Sequence, residues 1–151
     1  MNRRIGKVGL VALSVTVLVG TALAFSTIFS FQGTVAGYDF GGFGPGFAIP
    51  GTVEIQAFTM SPGDVVPWHY HKGLSYVVVV RGTLTEQELI GDGQCTAPAV
   101  DVKGSAFVEP PGRRHTVANL GTTKAVIYWA TIFPKDDPDG DAVFVDDPGC
   151  H

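Results

Sequence analysis

The sequence predicts an all-β fold, a closed barrel or sandwich of short strands, behind an N-terminal targeting segment. Three observations predict it. Glycine (20) and proline (10) punctuate the 151 residues often, which suits many short strands joined by turns. β-Branched and apolar runs recur between those turns at about the 8–12-residue spacing of sandwiches and barrels. No amphipathic helical stretch of useful length interrupts them. Apolar residues make up 45% of the chain and charged residues 16%, enough to bury a core in one domain of this length.

Residues 1–24 read as a targeting segment. Arg3, Arg4 and Lys7 open it without an acid, and no charged side chain follows until Asp39. The run from Val8 is rich in Val, Leu and Ala and reaches Ala22-Leu23-Ala24. A basic start, an apolar centre and small residues at the end make a secretory signal peptide with cleavage expected after Ala24. The alternative is an uncleaved membrane anchor, since residues 8–31 are long and apolar enough to span a bilayer as a helix. Either way the domain is exported: periplasmic, extracellular, or membrane-anchored and facing outward. Membrane contact is then limited to that anchor. The chain has 10 Lys and Arg against 14 Asp and Glu, and three of the basic residues lie in this segment, so the remainder carries a net −7. An acidic domain without basic clusters excludes nucleic acid as a partner.

Residues 25–50 read as a Gly/Phe-rich linker or N-terminal arm. Its stretch 37–51 (GYDFGGFGPGFAIPG) is expected to lie across the barrel, and it lacks the strand–loop–helix setting of a phosphate loop. The barrel proper is read over 51–135. Its first strand, 52–60 (TVEIQAFTM), ends at the turn signal Ser61-Pro62-Gly63-Asp64. Residues 75–81 (SYVVVVR) are strongly β-prone. Gly82 breaks them, and 83–90 (TLTEQELI) return as the second arm of a hairpin. A short strand at 106–109 stops at Pro110-Pro111-Gly112, and strands at 116–120 and 124–133 complete the set.

Residues 136–151 read as an acidic C-terminal tail. The stretch 136–141 (DDPDGD) looks like a calcium loop only superficially, because aligning Gly140 with the turn glycine puts Lys135 at the first ligand position. It is read as a solvated acidic loop. Cys95 and Cys150 are an even pair in an exported chain, which points to a disulfide tethering the tail; the alternative is two free thiols.

The chemistry sits in three histidines bracketed by glycine and proline. His69 and His71 fall in Gly63-DVVPW-His69-Tyr70-His71-KGL-Ser75, and His115 in Gly104-SAFVE-Pro110-Pro111-Gly112-RR-His115-TVA-Asn119. Residues two apart on an extended chain share a face, so His69 and His71 can aim at one point. A third imidazole from another strand would complete one side of a coordination sphere. Three protein nitrogens leave positions open for water or substrate, and imidazole suits several divalent metals.

The two segments resemble the paired motifs of the cupin superfamily. Gly63, His69, His71 and Gly82 match the first motif, G-x5-H-x-H-x3-E-x6-G; Gly104, Pro110, Gly112, His115 and Asn119 match the second, G-x5-P-x-G-x2-H-x3-N. The resemblance covers about residues 50–135. It implies a small jelly-roll barrel, the cupin double-stranded β-helix, with one divalent metal (Fe, Zn, Mn or Ni) held by His69, His71 and His115. Ser75 stands where the motif has Glu, and a serine hydroxyl is a poor ligand. Glu109, an acid in an apolar strand, is the substitute candidate; a three-histidine site and a weak or absent metal are the alternatives. Trp68, Tyr70 and Tyr76 are candidates to line the mouth of the barrel. Asn119 is expected to hydrogen-bond the loop around His115, and Arg113 and Arg114 read as exposed loop arginines. The implied functions are a small-molecule dioxygenase-like or isomerase-like metalloenzyme, or a non-catalytic protein that binds metal or a small molecule. Barrels of this type also pair through edge strands, which implies a homodimer.

Overall fold

A computed structural model describes residues 25–38, 49–91, 93–135 and 141–150. The expected signal segment and residues 136–140 of the acidic loop lie outside them. The described residues form β1 (Phe25–Tyr38), β2 (Ile49–Met60), β3 (Val65–His71), β4 (Leu74–Arg81), β5 (Thr83–Glu88), β6 (Ala99–Val102), β7 (Ala106–Glu109), β8 (His115–Ala118), β9 (Ala125–Pro134) and β10 (Ala142–Phe144). They make two five-stranded sheets, β1-β2-β9-β4-β7 and β10-β3-β8-β5-β6. The all-β jelly roll is what the sequence predicts.

Alternation sets which side chains enter the barrel. In β4, Ser75, Val77 and Val79 are buried while Tyr76 and Val78 are exposed, the period of two of a strand with one face inward. Val77, Val79 and Ile127 of the first sheet meet Val66, Leu84 and Val117 of the second in one core cluster. Gly82 turns β4 into β5 at φ +75°, and a Cβ there would lie 2.7 Å from the Lys124 carbonyl oxygen. Both conditions demand glycine.

Four assignments change. Residues 25–38 are a strand, not a linker: β1 pairs along β2 from Phe25↔Met60 to Tyr38↔Ile49. The apolar leader merges with the strand's own phenylalanines and hides the boundary. The same pairing removes residues 25–31 from the anchor helix considered above. At the other end, β10 pairs with β3 through Ala142↔His71 and Phe144↔His69, so the barrel takes in residues beyond 135. Cys95 and Cys150 are joined as expected, with Cα atoms 5.7 Å apart. β3 is a full strand although Pro67 interrupts its pattern; a bulge between Val66 and His69 absorbs the mismatch with β8. Asn119, finally, does not serve the His115 loop. Its amide donates to the Met60 and Thr123 carbonyls, 2.9 Å each, and so ties the turn leading into β9 to the end of β2.

Candidate metal centre

β3 brings His69 and His71 to the inner face, and β8 opens with His115, paired directly across from His69. All three imidazoles are buried, and one nitrogen from each lies within 4.8 Å of the others. Their outer nitrogens are all engaged. His69 Nδ1 is 2.7 Å from the Pro67 carbonyl, His115 Nδ1 is 2.9 Å from the Arg113 carbonyl, and His71 Nδ1 meets the Asp141 carboxylate. Carbonyls and carboxylates only accept, so each Nδ1 carries the hydrogen. Each Nε2 is then the nitrogen left for the interior, an arrangement characteristic of metal-ligating histidines.

Beside two of those nitrogens stands Glu109. Its carboxylate oxygens lie 3.1 Å from His71 Nε2 and 3.3 Å from His115 Nε2. β4 and β7 pair Ser75 directly with Glu109. The carboxylate absent at position 75 is therefore present one strand over, on the same face, at the reach of a cross-strand neighbour. Glu109 Oε2, His115 Nε2 and Ser75 Oγ are buried without a hydrogen-bond partner. Buried polar atoms are seldom left so. Three clustered imidazole nitrogens, with a carboxylate against two of them and polar atoms left unsatisfied, fit a divalent cation.

The charges point the same way. Burial, with His115 and His71 beside it, pushes His69 down to about 4. Burial also opposes a charge on His71, but the Asp141 and Glu109 carboxylates outweigh it and lift that imidazole to about 9. Glu109 is held well below the usual carboxylate range: burial disfavours its charge, and His115 and His71 more than offset that. His71 is thus protonated at neutral pH without a metal and must lose its proton to become a ligand. Burial opposes a charge on His115 as well, but Glu109 outweighs it and raises that imidazole too, so metal binding at pH 7 should release at least one proton, and affinity should fall as pH falls below about 9. Titration calorimetry in buffers of different ionisation enthalpy measures this; no proton release would exclude His71 from the ligands.

The centre opens onto a cavity of about 210 Å³ walled by Phe58, Val77, Phe107, Ile127, Trp129 and Phe144 among others. Trp68, Tyr70 and Tyr76 are not among its walls. Trp68 and Tyr70 alternate with the two histidines on β3, and Tyr76 points to solvent at 52% exposure. The aromatic walls come instead from strands whose inner faces were not assigned from sequence. Arg113 pairs at the surface with Glu88, 3.0 Å away, and Arg114 is exposed.

Two acids escaped the sequence reading. Asp141, read as solvated, is 5% exposed. Besides His71 it receives the Gly73 amide and the Thr131 hydroxyl, at 3.3 and 3.1 Å. Gly73 lets the chain approach this closely, since a Cβ there would strike the Ile132 carbonyl oxygen at 1.7 Å. Glu86 is buried with one oxygen unpartnered; burial and then the Glu109 charge lift it to about 7. Its place two residues after Leu84, on the same inward face of β5, was the available signal.

The Cupin domain family matches residues 56–131. The chain belongs to the cupin family. Among curated proteins, this cupin is 32% identical over 77 residues to the auxin-binding protein ABP19b of Prunus persica, a match covering 50% of this chain and 36% of that protein. It is 29% identical, with the same coverage, to a germin-like protein of Morus alba. The match thus spans about a third of those relatives' length. Among solved structures, an oxalate oxidase bound to the substrate analogue glycolate superimposes with a TM-score of 0.52 at 25% identity, over 62% of this chain and 46% of its own. An oxalate decarboxylase of B. subtilis, at 14% identity, TM-score 0.53 and coverage of 62% and 24%, shares the fold.

Proposed function

We propose that this cupin works outside the cytoplasm. There it would hold one divalent metal through His69, His71, His115 and Glu109 and present it to a small organic molecule in the adjoining cavity. The observation that carries this reading is the clustering of three buried imidazoles, two of them with Nε2 against the buried, incompletely partnered Glu109 carboxylate, at the edge of an apolar chamber. Export is supported by the signal-like start and by the disulfide, which persists in oxidising compartments.

The bound metal would supply Lewis acidity or, if iron or manganese, redox chemistry. The protein's own residues do the rest. Pro67, Arg113 and Asp141 orient the imidazoles, and the aromatic walls exclude water. Those walls also define the ligand. A dry cavity of about 150 Å³ accepts benzene, so this chamber has room for one ring or its equivalent. Among the described residues no Lys or Arg lines it. A metal dication there would face Glu109, with Glu54 and Asp141 also in the wall, and further negative charge in an apolar site is costly. The fitting ligand is a compact apolar body with one oxygen-donor group, neutral or singly anionic.

One observation favours binding without turnover. Gln56 donates to Glu54 at 2.5 Å at the cavity wall, so those polar groups engage each other instead of standing free as acid and base. The test is reconstitution with Fe(II), Mn(II), Zn(II) and Ni(II), followed by spectroscopy of a Co(II)-loaded sample titrated with benzoate and with oxalate. One metal per chain and a spectrum perturbed by benzoate support the reading. Oxygen uptake would then mark an enzyme, and tight retention without uptake a binding protein. Failure to hold any metal would overturn the metal centre. A response to oxalate alone would keep the metal and overturn the ligand class.

A further inference from the structure

Glu54 is a buried acid that the metal centre does not use. It is 8% exposed and stands in the cavity wall. Register fixes its place. Glu54, Thr131, Ser75 and Glu109 pair in turn across β2, β9, β4 and β7, so the two glutamates end one row on the inner face of the sheet. Three strand spacings put their backbones roughly 14 Å apart along it. Glu109 marks the metal end of the cavity and Glu54 the end remote from it. The row beside theirs carries Gln56, Trp129, Val77 and Phe107, all four in the wall, so an apolar stretch separates the two ends. The donors around Glu54 are unevenly shared. Ser30 Oγ and Gln56 Nε2 both give to Oε1, at 2.8 and 2.5 Å, and Oε2 receives neither. Thr131, its neighbour in the row, turns its hydroxyl to Asp141, 3.1 Å away. No Lys or Arg among the described residues lines the cavity. Burying a carboxylate is costly unless its oxygens are hydrogen-bonded, and Oε2 is an acceptor that an occupant of the chamber can satisfy.

We propose that Glu54 selects the ligand by its far end: the molecule meets the metal with one group, fills the apolar stretch with its body, and presents an O–H or N–H donor to Glu54. This rests on the metal-and-ligand reading above and narrows it from one polar group to two, at opposite ends. Gln56 is a positioning residue, since its amide holds the carboxylate through Oε1 and leaves Oε2 to the ligand. A far end that only accepts hydrogen bonds would set lone pair against lone pair and leave the carboxylate oxygen unmatched. A second carboxylate would meet Glu54 like charge to like charge. A pocket that hydrogen-bonds a hydroxyl also rejects the analogue lacking it far more strongly than an apolar pocket rejects one carbon more or less. Glu54 therefore supplies discrimination that the aromatic walls alone do not.

The test is calorimetry, with the visible spectrum alongside, on the Co(II)-loaded chain titrated with benzoate, 4-hydroxybenzoate and 4-methoxybenzoate. The three share the group offered to the metal and the ring, and differ only at the far end. 4-Hydroxybenzoate should bind about tenfold tighter than benzoate or better, and 4-methoxybenzoate, which has the oxygen without the hydrogen, should bind no tighter than benzoate. Glu54→Leu should bring benzoate and 4-hydroxybenzoate to within about threefold of each other. Glu54→Gln, which keeps an uncharged acceptor for Ser30, is the variant to use should leucine not fold, and it should reduce the preference several-fold. Glu54 is not among the proposed ligands, so cobalt content serves as the control for folding. Equal affinity for benzoate and 4-hydroxybenzoate in the wild type would overturn the inference and leave the metal-and-ligand reading standing. A methoxy compound as tight as the hydroxy compound would show selection by size and overturn it too. So would a preference that survives undiminished in the folded variants, because another group would then read the hydroxyl. A chain that takes up no cobalt, or whose cobalt spectrum no probe moves, fails at the earlier reading and takes this one with it.

Discussion

Glu109→Gln should weaken metal binding by about a hundredfold or more, and adding the charge back one strand away should restore it. The first half follows from removing a carboxylate ligand outright, where loss of a mere orienting partner already costs 10–100-fold. The second half follows from register. Ser75 and Glu109 are directly paired on β4 and β7, Ser75 is fully buried with its hydroxyl unpartnered, and Glu109 reaches His71 and His115. In the double variant Ser75→Glu/Glu109→Ser the carboxylate would return to the position that the first family motif gives it. Affinity should recover to within about tenfold of the parent. Chelator competition with Mn(II) or Zn(II) measures both, with circular dichroism as the control for folding. Undiminished affinity in Glu109→Gln would remove Glu109 from the ligand set. A folded double variant no tighter than Glu109→Gln would show that the two positions are not interchangeable.

Asp141→Ala should lower metal affinity by about 10–100-fold although Asp141 is not itself placed among the ligands. Its carboxylate holds the His71 ring through Nδ1 while also receiving Gly73 and Thr131. Without it, His71 can rotate or exchange its hydrogen between the two nitrogens, and part of the population presents the wrong one to the metal. Asp141→Asn separates the two contributions, since an amide oxygen can still accept from Nδ1 but carries no charge. We expect Asn to retain most of the affinity and to release less proton on binding, because His71 would no longer be lifted as far above its ordinary value. Nitrogen NMR of the imidazoles reads the tautomer directly. A single Nδ1–H tautomer persisting in Asp141→Ala would mean that Asp141 does not orient the ring. Loss of the buried carboxylate should also cost stability, roughly 1–3 kcal/mol for the donors it leaves unmatched.

These residues differ in how visible they were beforehand. His69, His71 and His115 could be read because their spacing is local: two positions apart on one strand, and a fixed distance after a proline–glycine turn. Glu109 was half visible. An acid in the strand AFVE is conspicuous, but that it stands opposite Ser75 depends on which strand β7 pairs with, and nothing short-range encodes that. Asp141 was invisible for a related reason. It lies 70 residues from His71, and its stretch DDPDGD has the composition of a solvated turn. Only the pairing of β10 with β3 carries it inside. The first strand was lost for a simpler reason, since an apolar leader and a strand starting with phenylalanines share one composition.

Asp141 has a second consequence, in the order of events as the chain is made. It follows His69, His71, Glu109 and His115 in the sequence, as Cys150 follows it. A growing chain therefore exposes every proposed ligand before it has made the group that fixes His71 or the cysteine that secures the last strand. During that interval the imidazoles are loose donors with little power to discriminate between metals. Selection would begin only when β10 docks, and the Cys95–Cys150 bond makes that docking durable only where thiols oxidise. On the exported reading, the metal is then chosen from the supply outside the membrane, whatever the cytoplasm holds in excess.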